Sequence, residues 1–111
     1  DLIDATEHRG DQLIDAAEQT ADQLRDNATT SADQLRDKAE READKLVDKA
    51  SNPIAELAAK EAAKAVEKEA DKAAQKLERE ADKQADALIE EARQQKMLLV
   101  RDARDGVDDQ R

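Results

Sequence analysis

The chain of 111 residues contains no aromatic residue and no cysteine, one proline, two glycines and one histidine. Each shortage removes a class of protein. Without aromatics, and with alanine supplying most of the apolar positions, there are too few large side chains for a thick globular core. Without cysteine there is no disulfide framework, and His8 has no second histidine or thiol with which to build a zinc site. No apolar run approaches the roughly 20 residues that cross a bilayer. The net charge of −10 weighs against nucleic acid and anionic membrane as partners. Because the chain begins at Asp1 rather than methionine, it is expected to be a trimmed or processed piece, with flanking domains possible.

What remains is 43% charged residues on an alanine-rich background, the composition of long helices and coiled coils. High charge and low hydrophobicity also favour disorder, so periodicity decides. An eleven-residue unit is plain in "ADQLRDNATTS" (21–31), "ADQLRDKAERE" (32–42) and "ADKLVDKASNP" (43–53). Leucine recurs at Leu2, Leu13, Leu24, Leu35, Leu46 and Leu57, and a second small or apolar row passes through Gly10, Ala21, Ala32, Ala43 and Ile54. Thr6, Ala17, Ala28, Ala39 and Ala50 form a third. Eleven residues make almost three helical turns, so these rows share one face of a helix, with a slight right-handed drift.

After Pro53 the unit returns in another phase, as Val66, Leu77, Leu88 and Leu99, each followed four residues later by alanine. A single straight helix would have its apolar stripe change sides in mid-chain. Folding the chain between Asn52 and Pro53 brings residue i opposite 105 − i, so that each leucine meets a small residue and the two stripes interdigitate. Inside a continuous helix the proline would cost about 3 kcal/mol or more, whereas in a first helical turn its missing N–H costs nothing. Ser51 or Asn52 would be the N-cap.

The expected fold is therefore all-α: a long antiparallel helical hairpin, a coiled coil of eleven-residue repeats, forming a single domain over 1–111. It has a helix over 2–50, a turn at 51–53, a helix over 53–103 and a frayed tail over 104–111. The alternative is continuous long helices in an antiparallel or parallel oligomeric coiled coil, because two rods crossing at the same point would make the same contacts between chains. The expected helix–helix seam is Leu13, Leu24, Leu35, Leu46, Leu57, Val66, Leu77, Leu88 and Leu99. Flanking it, Arg25 is expected to pair with Glu78 and Arg36 with Glu67, Ile3 with Val100 and Ile14 with Ile89, while Lys38 approaches Glu69. Antiparallel pairing also lays residues 1–24, with seven acids against Arg9 alone, on the charge-balanced stretch 81–104.

Burial of one leucine per unit, worth about 1.5–3 kcal/mol, does not obviously offset the ordering of eleven backbones at about 1–2 kcal/mol each. Homo-oligomerisation is expected, with Ile3, Ile14, Ile89, Leu98 and Val100 (and Met97 beside them) as the contact. No catalytic, cofactor-binding or metal-binding residue is assigned. His8 reads as a solvated side chain. The acids Asp102, Asp105, Asp108 and Asp109 around Gly106 lack the spacing of a calcium loop. The ridge of Lys60, Lys64, Lys68, Lys72 and Lys76 is balanced by acids and reads as a solvent face.

The units "ADQLRDKAERE" and "ADKLVDKASNP" resemble those of group 3 late-embryogenesis-abundant proteins and, more distantly, apolipoprotein-like helical domains, over roughly residues 10–103. That resemblance implies desiccation protection or reversible lipid association. The strict leucine row, where those late-embryogenesis units usually hold alanine, and the lack of aromatics depart from both patterns. The repeats are also similar to the eleven-residue coiled coils of bacterial envelope and stalk proteins, which implies a structural role. Bacterial cell envelope and cytoplasm are both compatible with the composition. The functional expectation is a structural, spacer or oligomerisation coiled coil without catalytic activity. A stress-protective helical protein and an amphipathic lipid-surface binder are the alternatives.

Overall fold

A computed structural model describes residues 1–109, with side chains as far as Gly106. It consists of two helices, α1 (Leu2–Asp48) and α2 (Pro53–Asp109), joined by residues 49–52. The hairpin expected from the phase change is thus formed within one chain.

Both helices begin on a side-chain cap. The Asp4 N–H donates to Asp1 Oδ1 at 2.9 Å, and the Ala55 N–H donates to Asn52 Oδ1 at 2.8 Å. Asn52 is therefore the N-cap of α2, its carbonyl accepts from Glu56 N–H at 2.9 Å, and Pro53 occupies the first helical position. The end of α1 tightens, with Ala50 N–H donating to Val47 O at 3.1 Å, three residues back rather than four. This tightening ends α1 at Asp48 instead of residue 50. Helix-disfavoured threonines are accommodated by back-bonding: Thr6 Oγ1 donates to Leu2 O at 2.8 Å and Thr20 Oγ1 to Ala16 O at 3.1 Å.

The frayed tail expected from residue 104 is corrected, because α2 continues to Asp109. Gly106 weakens a helix by only about 1 kcal/mol relative to alanine. It does not stop one here, since no described residue adopts positive φ. Residues 110 and 111 lie outside the described residues, as do the side chains of Asp108 and Asp109.

The chain divides into two compact units. The first combines Asp1–Arg25 with Asp82–Arg111, and the second is Asp26–Ala81. In each, a stretch of α1 runs antiparallel to a stretch of α2. The core of both is made of alanine alone among the described hydrophobic residues: Ala21, Ala85 and Ala92 in the first, and Ala32, Ala39, Ala43, Ala63, Ala74 and Ala81 in the second. Ala21, Ala32, Ala74 and Ala85 are completely inaccessible.

The register is fixed by Gly10, which is buried against the side-chain stem of Lys96. Residue i of α1 thus lies opposite 106 − i of α2, one residue from the expected register, and the mirror point is Pro53 itself. In the first unit this places Ala21 opposite Ala85. In the second, the same spacing sets Ala32 against Ala74 and Ala43 against Ala63. The row through Gly10, Ala21, Ala32 and Ala43 is the axis of contact, and its counterpart on α2 is Ala63, Ala74, Ala85 and Lys96.

The leucines are therefore not the centre of the seam, as expected, but its flank. Leu13, Leu24, Leu35, Val66, Leu88 and Leu99 are half-buried, and Leu46 and Leu77 are 37% and 38% exposed. Two helices meeting along alanines touch on a narrow line, so a large side chain to one side of that line has only one neighbouring helix to cover it. Leu57 departs furthest, at 68% exposure. It continues the leucine phase of α1 past the proline, whereas α2 packs in the phase of Val66, so Leu57 points away from the partner helix. Ile54, which ends the small row of α1 in sequence, is 83% exposed for the same reason.

Candidate functional site

The flanks of the seam differ in chemistry. On α1, the residues immediately after the leucines are Ile3, Ile14, Arg25, Arg36 and Val47; on α2 the corresponding residues are Glu67, Glu78, Ile89 and Val100. In an antiparallel pair like flanks share a side, so these residues line one side of each unit and the leucine rows line the other. The first side carries the cross-helix ion pairs.

The ion pairs correct both expected partners. Arg25 engages Asp82 (Nε–Oδ1, 3.2 Å) and Asp86 (Nη2–Oδ1, 2.8 Å), not Glu78. Arg36 engages Asp71 (Nε–Oδ1, 3.0 Å) and Glu78 (Nη2–Oε1, 2.9 Å), not Glu67. The cause is side-chain direction. Helical side chains lean toward their own N-terminus, so an arginine of α1 reaches residues of α2 numbered above the one directly opposite. Glu67 and Glu78 lie below the residues opposite Arg36 and Arg25 respectively. Lys96 to Asp11 and Arg104 to Glu7 (3.7 Å) obey the same rule from the α2 side.

Arg36 bridges two carboxylates of α2. Its hydrogen bond to Asp71 is the main cause of a pKa raised above the ordinary arginine value; burial opposes this, and the Glu78 carboxylate reinforces it. Glu78 Oε1 is itself buried and lies off the axis of the nearest N–H, so that contact is an ion pair without hydrogen-bond alignment. Glu67 lines a shallow hollow with Arg36, Glu40 and Asp44 on the same side.

The other side of each unit is apolar. In the first unit Leu13 and Leu99 border one hollow together with Gln95 and Leu98. In the second, a hollow of about 370 Å³ is lined by Leu35, Ala73, Lys76, Leu77 and Glu80. Four of the residues expected to form an oligomer contact, Ile3, Ile14, Ile89 and Val100, are half-buried on the ion-pair flank of the first unit. The fifth, Leu98, is 49% exposed and Met97 is 67% exposed. Met97 and Val100 border a wider open trough with Glu7, Arg93, Lys96 and Arg104.

The packing row missed by sequence reading is Ala63, Ala74, Ala85 and Lys96. Its signal was present: each member stands three residues before Val66, Leu77, Leu88 or Leu99. Lys96 occupies the alanine position, and the facing residue is glycine. A Cβ on Gly10 would fall 2.9 Å from Lys96 Cβ and closer still to Cγ. Neither atom belongs to the flexible end of the lysine.

His8 is exposed, and its ring meets Gln12 Nε2 at 3.4 Å. Among the described residues no group of three or more potential metal ligands occurs, and no helix is long and apolar enough to cross a membrane. The chain matches no protein-family model, no curated protein and no solved structure.

Proposed function

We propose that this protein is a non-catalytic helical scaffold that associates with further copies of itself. The observation that carries the reading is a cross-helix core of alanine with the leucine rows left on the flank, where Leu46 and Leu77 are more than one-third exposed. An alanine side chain removes little apolar surface from water. Completing the burial of a leucine contributes a further fraction of about 1.5–3 kcal/mol. Association is the available way to cover both rows, because each unit has a second helix on one side of its leucines only. The hollows are shallow surface features between two helices, which favours a structural over an enzymatic role. The regular buried row favours helix in dilute buffer over folding on drying, and the net charge of −10 disfavours anionic surfaces.

Sedimentation velocity and circular dichroism across a concentration series test this reading. The expected result is a helical protein whose mass and melting temperature both rise with concentration. A monomer with concentration-independent melting overturns it, and predominantly coil spectra in buffer would favour the stress-protection alternative.

A further inference from the structure

Within Asp26–Ala81 the two sides of the helix pair are unequally satisfied. On one side Arg36 is bound to Asp71 and Glu78. On the other, the hollow lined by Leu35, Ala73 and Leu77 is open to solvent. The outer rim of that apolar side carries Asn27 and Lys38 on α1 and Glu69, Lys76 and Glu80 on α2, all exposed. Lys38 and Glu69 stand nearly opposite in the register, yet among the described residues they form no ion pair with each other. They lie back from the contact line, on faces that diverge around the two helices.

We propose that this leucine side of the second unit docks onto the same side of a second copy, with the chain turns of the two copies at the same end. The inference rests on the self-association proposed above and names the face and the orientation. The occupant is chosen by charge. A two-fold axis parallel to the helices sets α1 of one copy over α2 of the other, so that Lys38 approaches Glu69 of the second copy and Asn27 approaches its Glu80. A two-fold axis perpendicular to the helices instead sets α2 over α2 and lays the rim of Glu69, Lys76 and Glu80, two acids to one base, on its own copy. In a chain of net charge −10 the first arrangement avoids that repulsion and gains two symmetry-related ion pairs. The hollow at Ala73 then receives a leucine from the facing copy, and both Leu35 and Leu77 lose their remaining contact with water.

The test uses the full chain and two single variants, Lys38→Glu and Glu69→Lys. Each variant alone places like charges together at both symmetry-related positions and should self-associate several-fold more weakly than the unmodified protein. Mixed in equal amounts, the two should form a heterodimer that restores both pairs and associates about as tightly as the unmodified protein. An ion pair within one chain gives no such recovery on mixing. In parallel, Leu77→Gln should weaken association many-fold while helicity by circular dichroism is unchanged. If the unmodified protein forms a dimer that is indifferent to Leu77→Gln and shows no preference for the mixed pair, the face is wrong while self-association stands. If the unmodified protein sediments only as a monomer, self-association and the face fall together.

Discussion

Within Asp26–Ala81 the buried rows are alanine on both helices, Ala32 and Ala43 on α1 and Ala63 and Ala74 on α2, and the flank is held by Arg36 between Asp71 and Glu78. The unit formed by Asp1–Arg25 and Asp82–Arg111 begins the same way, with Ala21 and Ala85, but its next layer is Gly10 against Lys96. Its flank adds the aliphatic side chains of Ile3, Ile14, Ile89 and Val100 to the ion pairs made by Arg25, Lys96 and Arg104. The same repeat therefore supports two solutions. One is a uniform layer of small residues with charged flanks. The other exchanges volume across the seam, glycine withdrawing where lysine advances, and sets apolar side chains among the ion pairs of its flank. The lesson is that the constraint acts on the summed volume of a layer rather than on either residue, as expected for a close-packed interior.

The strongest way to break this comparison is to enlarge a uniform layer. Ala74→Leu introduces three carbons where Ala32 and Ala74 are both fully inaccessible. It should cost about 1–3 kcal/mol. Hydrogen exchange should quicken within residues 26–81 more than within 1–25; equal loss throughout would mean that the two units have no separate stability.

The glycine–lysine layer predicts a sign reversal. Gly10→Ala alone should destabilise, because the clash with the lysine stem outweighs the roughly 1 kcal/mol that alanine gains over glycine in a helix. With Lys96→Ala added, the layer becomes alanine on alanine, and the double variant should match or exceed the unmodified protein in thermal stability. Additive effects of the two substitutions would show that the volumes are not exchanged.

Smaller effects sharpen the picture at the turn. Asn52→Ala removes the acceptor of the Ala55 N–H, and chemical denaturation should register a loss of about 1 kcal/mol. Asn52→Ser should retain most of it. The smallest effect is assigned to Arg25→Gln, since its pairs with Asp82 and Asp86 are exposed and such pairs contribute little. Its melting temperature should fall slightly below that of the unmodified protein in low salt, and the difference should close near 1 M salt, where the screening length is about 3 Å.

Much of this architecture was legible in the chain. The phase change between Leu46 and Val66 points to antiparallel pairing, and one proline behind a capping asparagine favours a hairpin over two crossed rods, which would make the same contacts. The register was off by one residue, since periodicity alone does not say whether the fold pivots before Pro53 or on it. Spacing alone points Arg25 to Glu78 and Arg36 to Glu67, because it does not carry the lean of helical side chains toward the N-terminus. The leucines were placed at the centre because large apolar residues are central in thick cores. In a pair of helices the closest line belongs to whichever residues let the backbones approach, and here those are Ala21, Ala32, Ala74 and Ala85. The exchange between Gly10 and Lys96 leaves no periodic trace, because Gly10 fits its small row and only Lys96 breaks its own.

The mirror point at Pro53 limits how a chain of this kind is lengthened or shortened. A unit of eleven residues removed from one arm alone would leave the rows in phase but strand one unit of the other arm without a partner. Any other number would also turn the surviving stripe away from its mate. Growth without loss of pairing must happen twice at once, at equal distances from the proline. The bend is thus the zero of a two-armed scale, and the natural increment of the whole molecule is twenty-two residues rather than eleven.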